Sequence, residues 1–274
     1  MGLALSTFAG LEAIHLLDRR FESRDLPVCR VVTRKLVIAL TFDDGPDPRY
    51  TPAVLHLLSR FGARATFFVI GRKASRHPGL VAEEAQRGME IAGHTWSHRR
   101  IDRLSPDQMR VELDRTERAL ASFGTSSLFR APFGSFLPEQ AEAMRAWGVR
   151  PVHWSVAVDH LVDGLGLSAG EAVRWLSSEV RPGDILLFHD APLGSDDPED
   201  PRRATLEVLA RLLPALERVG YRFVTVSELL RTGEPVLARP RPWFWQDGFA
   251  CPPRTAVTPG SAAPGPRGGR LARS

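Results

Sequence analysis

Lysine is nearly absent from this chain: of 36 lysines and arginines, only Lys35 and Lys73 are lysines. That bias reads as base composition and says little about function. Cysteine is also scarce, with Cys29 and Cys251 alone in 274 residues. Two cysteines near opposite ends of a chain exclude the multi-bridge framework of a small secreted scaffold. Two unpaired thiols are expected, with a single bridge as the alternative. No run of roughly 18 apolar residues is present, which excludes a membrane-spanning helix. A cleavable leader is not expected either. Residues 1–17 are fairly apolar, but they lack a basic start, carry Glu12 and His15, and run into Asp18-Arg19-Arg20. As written, the sequence points to the cytoplasm; a displaced start would open the cell envelope or secretion.

Positive charge is missing from the part that folds. From Arg231 onward, seven arginines against Glu234 and Asp247 leave +5, so the formal total of +4 puts −1 on residues 1–230. A nucleic-acid binder wants basic residues clustered on a folded face, and none is expected here. Any such binding would run through the tail and show a steep salt dependence.

What is present is a regular alternation. Leu36–Phe42 is β-branched and apolar. Thr51-Pro52 reads as a helix cap and first position, with Gly62 as the stop. Strands are expected at Ala65–Ile70, Glu90–Gly93, Ser127–Ala131, Pro151–Val158, Asp184–His189 and Tyr221–Val226. Helices are expected between them. Ser105-Pro106-Asp107-Gln108 and Ser168-Ala169-Gly170-Glu171 are capping boxes, and Ser227 is read as the cap of a last short helix. About seven apolar strands separated by helices suit a parallel sheet buried on both faces. The expected fold class is α/β, a single-domain distorted (β/α) barrel of seven or eight strands, with a doubly wound open sheet as the alternative. The domain is expected over residues 35–232, after an N-terminal extension (1–34). A tail rich in Pro, Gly and Arg follows (233–274), expected to be disordered past about Arg254.

Polar groups gather where these strands end. Asp43-Asp44 follows the first strand, His94-Thr95-Trp96-Ser97-His98 the third and Arg130-Ala131-Pro132-Phe133 the fourth. Asp159-His160 follows the fifth and His189-Asp190 the sixth. In a barrel these ends share one rim, and that rim holds the active site. Asp43 and Asp44 on an extended segment need not face the same partner. His94 and His98, four apart, fall on one side if the segment makes a helical turn. Two histidines and one carboxylate are a common zinc set that leaves a position for water. Each group has an ordinary reading too. Asp-Asp-Gly is often a turn, Arg130 fits a surface ion pair, and His189 fits a satisfied core histidine. All five at strand ends make coincidence improbable.

These residues resemble the polysaccharide deacetylase family, also called the NodB homology domain or carbohydrate esterase family 4. Thr41-Phe42-Asp43-Asp44-Gly45 is similar to its first motif, and His94–His98 to its second. Arg130–Gly134 is similar to its third, and Leu187-Phe188-His189 to its fifth. The resemblance implies Asp43 as general base and Asp44, His94 and His98 as ligands of one divalent metal, zinc first, with cobalt or nickel as alternatives. It implies Arg130 as the group orienting the base, the Phe133 backbone N–H as an oxyanion donor, Leu187 as a wall of the acetate pocket and His189 as general acid. The fourth motif departs. In the segment Trp154–Leu161, Ala157 stands where the family has Asp, Asp159 matches the second Asp after a one-residue gap, and His160 replaces a Trp. Asp159 is then the expected tuner of His189, with a loop cap or Asp190 in that role as rivals, and Trp154 lines the substrate groove. The implied function is metal-dependent removal of acetyl groups, N-acetyl first, from a polysaccharide or amino-sugar glycan such as peptidoglycan or a chitin-like oligomer, by a monomer. The alternatives are another C–N amide hydrolase of similar fold and a carbohydrate-binding pseudoenzyme.

Overall fold

The computed structural model describes residues 23–192, 202–241 and 248–254. Its strands are β1 (Val28–Val32), β2 (Val37–Asp43), β3 (Thr66–Val69), β4 (Glu90–Gly93), β5 (Leu128–Phe129) and β6 (Arg150–Pro151). They continue as β7 (Val156–Ala157), β8 (Ile185–His189), β9 (Arg222–Val224), β10 (Glu234–Leu237), β11 (Arg239–Pro240) and β12 (Phe249–Ala250). One parallel sheet runs β6-β5-β4-β3-β2-β8-β7, with β9 beside the first half of β2. That makes eight strands, as a distorted (β/α) barrel requires.

Strand alternation explains how this sheet is buried on both faces. All seven residues of β2 are buried. Ile38, Leu40 and Phe42 point outward into a core shared with helices Thr51–Arg60, Pro78–Gln86, Ala169–Glu179 and Arg202–Arg218. Phe42 stacks between Phe67 and Phe188, with centroids at 5.0 and 5.4 Å. Val37 and Ala39 point inward and meet Phe68, Ala92, Leu128, Val152 and Ile185 from strands across the whole sheet. The sheet is therefore curled around its own interior. The same parity puts Asp43 inside, level with its β8 partner His189.

The barrel has a seam. The stretch expected as one strand over 151–158 divides, because β6 pairs with β5 and β7 with β8 while β6 and β7 do not pair. Between them the chain crosses from one sheet edge to the other, and β1 fills the gap. Val28 bridges Val152, Arg30 bridges Asp184, and His153 N–H donates to the Val28 carbonyl at 2.6 Å. Strand β1 pairs in turn with β10, antiparallel. The described residues just before 35 and just after 232 thus meet at the seam, as β1 and β10.

Three further expectations are corrected. Cys29 and Cys251 are bonded to each other, so neither is a free thiol. Thr51 is not a cap: Tyr50 precedes the helix, and the Thr51 hydroxyl donates to Asp190 and accepts from Asp47 N–H. Thr225, not Ser227, caps the helix Val226–Leu230. The Ser227 hydroxyl donates to Glu90 instead. The capping boxes at Ser105 and Ser168 form as expected. Among the described residues, no helix is long and apolar enough to cross a membrane. The apolar stretch 1–17 and the tail beyond 254 lie outside the described residues.

Candidate metal and catalytic site

Asp43 is the last residue of β2, and its carboxylate faces the barrel interior. Arg130 lies fully buried beneath it and donates to Asp43 Oδ1 at 2.8 Å and to Thr41 Oγ1 at 2.7 Å. Its other nitrogens donate to the carbonyls of Val152 and His153 at 3.4 and 3.0 Å, and the guanidinium lies over Phe68. Arg130 is therefore no surface ion pair. A buried cation needs such partners on every side, and their number fixes Asp43 in one orientation.

Asp44 leaves the strand with φ 74°, so a left-handed residue, not strand alternation, separates the two carboxylates. His94 and His98 also converge by a route other than the expected helical turn. The segment between β4 and residue 100 is a loop in which Thr95 and His98 have φ of 62° and 61°. The Thr95 hydroxyl accepts from His98 N–H at 3.0 Å, and Glu112 accepts from both Ser97 N–H and Oγ–H at 2.8 Å. His94 Nδ1 lies 2.7 Å from the Arg130 carbonyl, which takes up that nitrogen and leaves Nε2 facing Asp44.

One ligand atom from each of Asp44, His94 and His98 lies within 4.8 Å of the others. Asp44 Oδ1 is 3.0 Å from His98 Nε2 and 3.4 Å from His94 Nε2. Both Asp44 oxygens are buried without a hydrogen-bond partner. Buried carboxylate oxygens are rarely left so, and the three side chains form a candidate site for a divalent cation that would satisfy them. Burial alone would raise the Asp44 pKa, but the His94 and His98 imidazoles and the charge of His189 hold it well below the usual carboxylate range.

Across the opening, His189 Nδ1 meets Asp159 Oδ2 at 2.6 Å. Asp159 also accepts from Arg202 at 2.8 Å and from the Thr205 hydroxyl at 2.6 Å. It makes no side-chain cap hydrogen bond to the turn that follows it. Asp190, the other rival partner for His189, turns away to Thr51. Burial pulls the His189 pKa down, but the Asp159 hydrogen bond and the carboxylates of Asp44, Asp159 and Asp43 outweigh it and bring it up to about 9.

A groove of about 450 Å³ joins these groups, lined by Asp43, Asp44, His94, His98, Asp159 and His189 together with Phe133, Trp154 and Leu187. Asp43, Asp44, His94, His98, Phe133, Trp154, Asp159, Leu187 and His189 thus meet at one rim, with Arg130 below and Asp190 turned away. Several members carried no sequence signal: Glu112, Arg202 and Thr205 gain importance only from the side chain that the fold brings to them. His153 is another. It stacks on Trp154 at 3.8 Å, and burial with the charges of Arg130 and Arg241 lowers its pKa to about 3.

A curled parallel sheet with an Asp-His-His set, a second carboxylate and an imidazole–carboxylate pair on one rim is the donor set of a metal-dependent hydrolase, with Asp44, His94 and His98 as its candidate metal site. The family model for polysaccharide deacetylase matches residues 30–152. A peptidoglycan-N-acetylglucosamine deacetylase of Bacillus cereus is 35% identical over 217 residues, covering 79% of this chain and 98% of that protein. A chitooligosaccharide deacetylase of a Bradyrhizobium strain is 33% identical over 199 residues, 70% of this chain and 90% of that protein. A crystal structure of a peptidoglycan N-acetylglucosamine deacetylase superposes with a TM-score of 0.67 at 30% identity, covering 75% of this chain and 93% of the other. The chain belongs to the polysaccharide deacetylase family.

Proposed function

We propose that this protein removes N-acetyl groups from N-acetylglucosamine units of a peptidoglycan-type glycan, acting as a monomer with zinc on Asp44, His94 and His98. Its class, a hydrolase of carbon–nitrogen bonds in acetylated carbohydrates, follows from its family. The observation that carries the reading is that two proton-handling groups line one groove beside the Asp-His-His set, each held by its own partner: Asp43 by Arg130, and His189 by Asp159. A divalent ion there supplies polarisation of the acetyl carbonyl and a water of lowered pKa. Asp43 takes the proton from the attacking water. His189 donates a proton to the leaving nitrogen, which departs poorly as an anion, and its raised pKa keeps it protonated at neutral pH. The Phe133 N–H is assigned to the developing oxyanion, and Leu187 and Trp154 to the walls that hold the acetyl group and the sugar.

Two observations support the finer assignment. The relatives named for peptidoglycan N-acetylglucosamine include the 35% identical one. The Cys29–Cys251 bridge suits an oxidising compartment, where peptidoglycan lies.

The test is acetate release from purified peptidoglycan, from N-acetylglucosamine oligomers and from O-acetylated glycans, after chelation and reloading with zinc, cobalt or nickel. Release from peptidoglycan above that from the others is expected. In Asp43→Asn the bound metal stays stoichiometric and turnover falls by about 10²–10⁴, the usual worth of a general base. Wild-type turnover in that variant removes Asp43 as the base.

A further inference from the structure

The groove has one more wall, and it comes from the far end of the described chain. Arg241, Ala250 and Cys251 line the same cavity as Asp44, His94, His98 and His189. They belong to a ribbon outside the barrel's strand–helix rhythm, with β11 antiparallel to β12 and Arg241 N–H donating to the Gly248 carbonyl at 2.9 Å. Strands of two residues do not hold themselves in place in water, so the position of this wall depends on its anchors.

The anchors are specific. Cys251 is bonded to Cys29 of β1. Arg30, the next residue of β1, donates to the Pro252 and Pro253 carbonyls at 2.7 and 3.4 Å. Arg254 pairs with Asp184, which is fully buried. Phe249 is buried, with its ring 4.5 Å from Phe136 and edge-on to His153 at 6.3 Å. A Cβ on Gly248 would fall 2.6 Å from Ser135 Oγ, so the ribbon backbone lies directly on the loop that carries Phe133. Every anchor ties the ribbon to the seam or to the segments following β5 and β6. None is needed to complete the Asp-His-His set or the Asp159–His189 pair.

A glycan chain laid in this groove presents one acetamido group to the metal side. The sugars on either side of that unit must rest on something else. Resting on the deacetylase reading above, we propose that Arg241, Ala250 and Cys251 form the substrate-binding wall for the sugar units flanking the one that reacts, and that the Cys29–Cys251 disulfide is what positions it. Ala250 is a small side chain on this wall, and Arg241 adds positive charge to it, which suits an acidic substituent. The wall contributes to binding a polymer and nothing to bond cleavage.

The experiment compares zinc-loaded wild type with Cys251→Ser and Ala250→Trp. The ligand is penta-N-acetylchitopentaose, followed by tryptophan fluorescence for Kd and by acetate release for kcat and KM. The small probe is 4-nitrophenyl acetate, which reaches the catalytic groups without spanning the groove. Cys251→Ser is expected to raise Kd and KM for the pentasaccharide about tenfold or more, with metal content unchanged and the ester rate within about twofold. Ala250→Trp keeps the bridge but fills the wall, and is expected to do the same. Unchanged pentasaccharide binding in both variants overturns the proposal. So does a parallel loss on both substrates, because the bridge would then support the barrel as a whole. Failure of the wild type to release acetate from any acetylated glycan defeats the deacetylase reading, while the fluorescence titration still decides on the wall.

Discussion

Asp159 holds three partners at once: His189, Arg202 and Thr205. A carboxylate so held stays charged, and its charge favours the imidazolium of His189. With the His189 pKa up to about 9, the acid form is present below that pH and is lost as pH rises through it. Asp159→Asn removes the main raising contact, so the alkaline limb of the kcat/KM profile should move to lower pH by at least about one unit, with lower activity throughout. An unmoved limb with unchanged turnover refutes the tuning role. Glu84 is the opposite kind of residue. It is fully buried, both oxygens lack a hydrogen-bond partner, and burial followed by the charge of Asp190 raises its pKa well above 4.5. A carboxyl whose pKa is raised by folding binds more protons in the folded state, so it lowers stability as pH climbs past its unfolded value. Glu84→Leu should therefore stabilise the fold, by about 1–3 kcal/mol at pH 8 and by less at pH 5, in urea titrations. Both residues show how unevenly a sequence reveals a site. Asp43, Asp44, His94, His98, Arg130 and His189 are legible because metal and proton chemistry restrict residue type and their strand ends share a rim. Arg202, Thr205 and Glu112 are ordinary residues on helices, and only tertiary placement makes them partners.

At the scale of elements, the loop carrying both histidines is braced by a buried carboxylate, beside its own Thr95–His98 bond and the Gly71 and Arg72 N–H groups that donate to the Thr95 and Trp96 carbonyls. Glu112, on the helix Pro106–Leu120, takes both donors of Ser97 and so fixes the left-handed turns at Thr95 and His98. Left-handed non-glycine residues are costly and persist only where their surroundings impose them. Glu112→Ala should lower metal affinity about 10–100-fold, as loss of supporting contacts does at other metal sites, while far-UV circular dichroism stays unchanged; a competition titration with a chelator measures it. An unchanged affinity means the loop holds itself. Most elements were legible for one reason: apolar runs of strand length bounded by Gly or Pro, as in β2, β4 and β8. The stretch 151–158 misled because it has a strand's composition without a single strand's partners, since β1 occupies the side where pairing would continue. The histidine loop misled because spacing of four suggests a helical face, and a loop with two left-handed residues brings the same atoms together.

For the whole molecule, the bridge between residues 222 apart closes nearly the entire described chain into a ring. Constraining the unfolded chain over such a loop is worth about 5 kcal/mol on the chain-entropy account. Reduction should lower the urea midpoint accordingly; no shift means the unfolded chain is held together in other ways. That pairing was not legible because nothing in the sequence shows that the segments around Cys29 and Cys251 return to one seam. The seam also bears on the order in which the molecule comes into being. Strand β1 is made before every other described strand, yet its strand partner β10 lies about 200 residues later. On a ribosome the barrel's parallel strands can assemble one after another as they emerge, since most lie beside a neighbour in sequence. Strand β1 can bridge residues 152 and 184 before β10 exists, so the nascent chain passes through a stage with its barrel almost built, β1 held on one side only and Cys29 still waiting for Cys251.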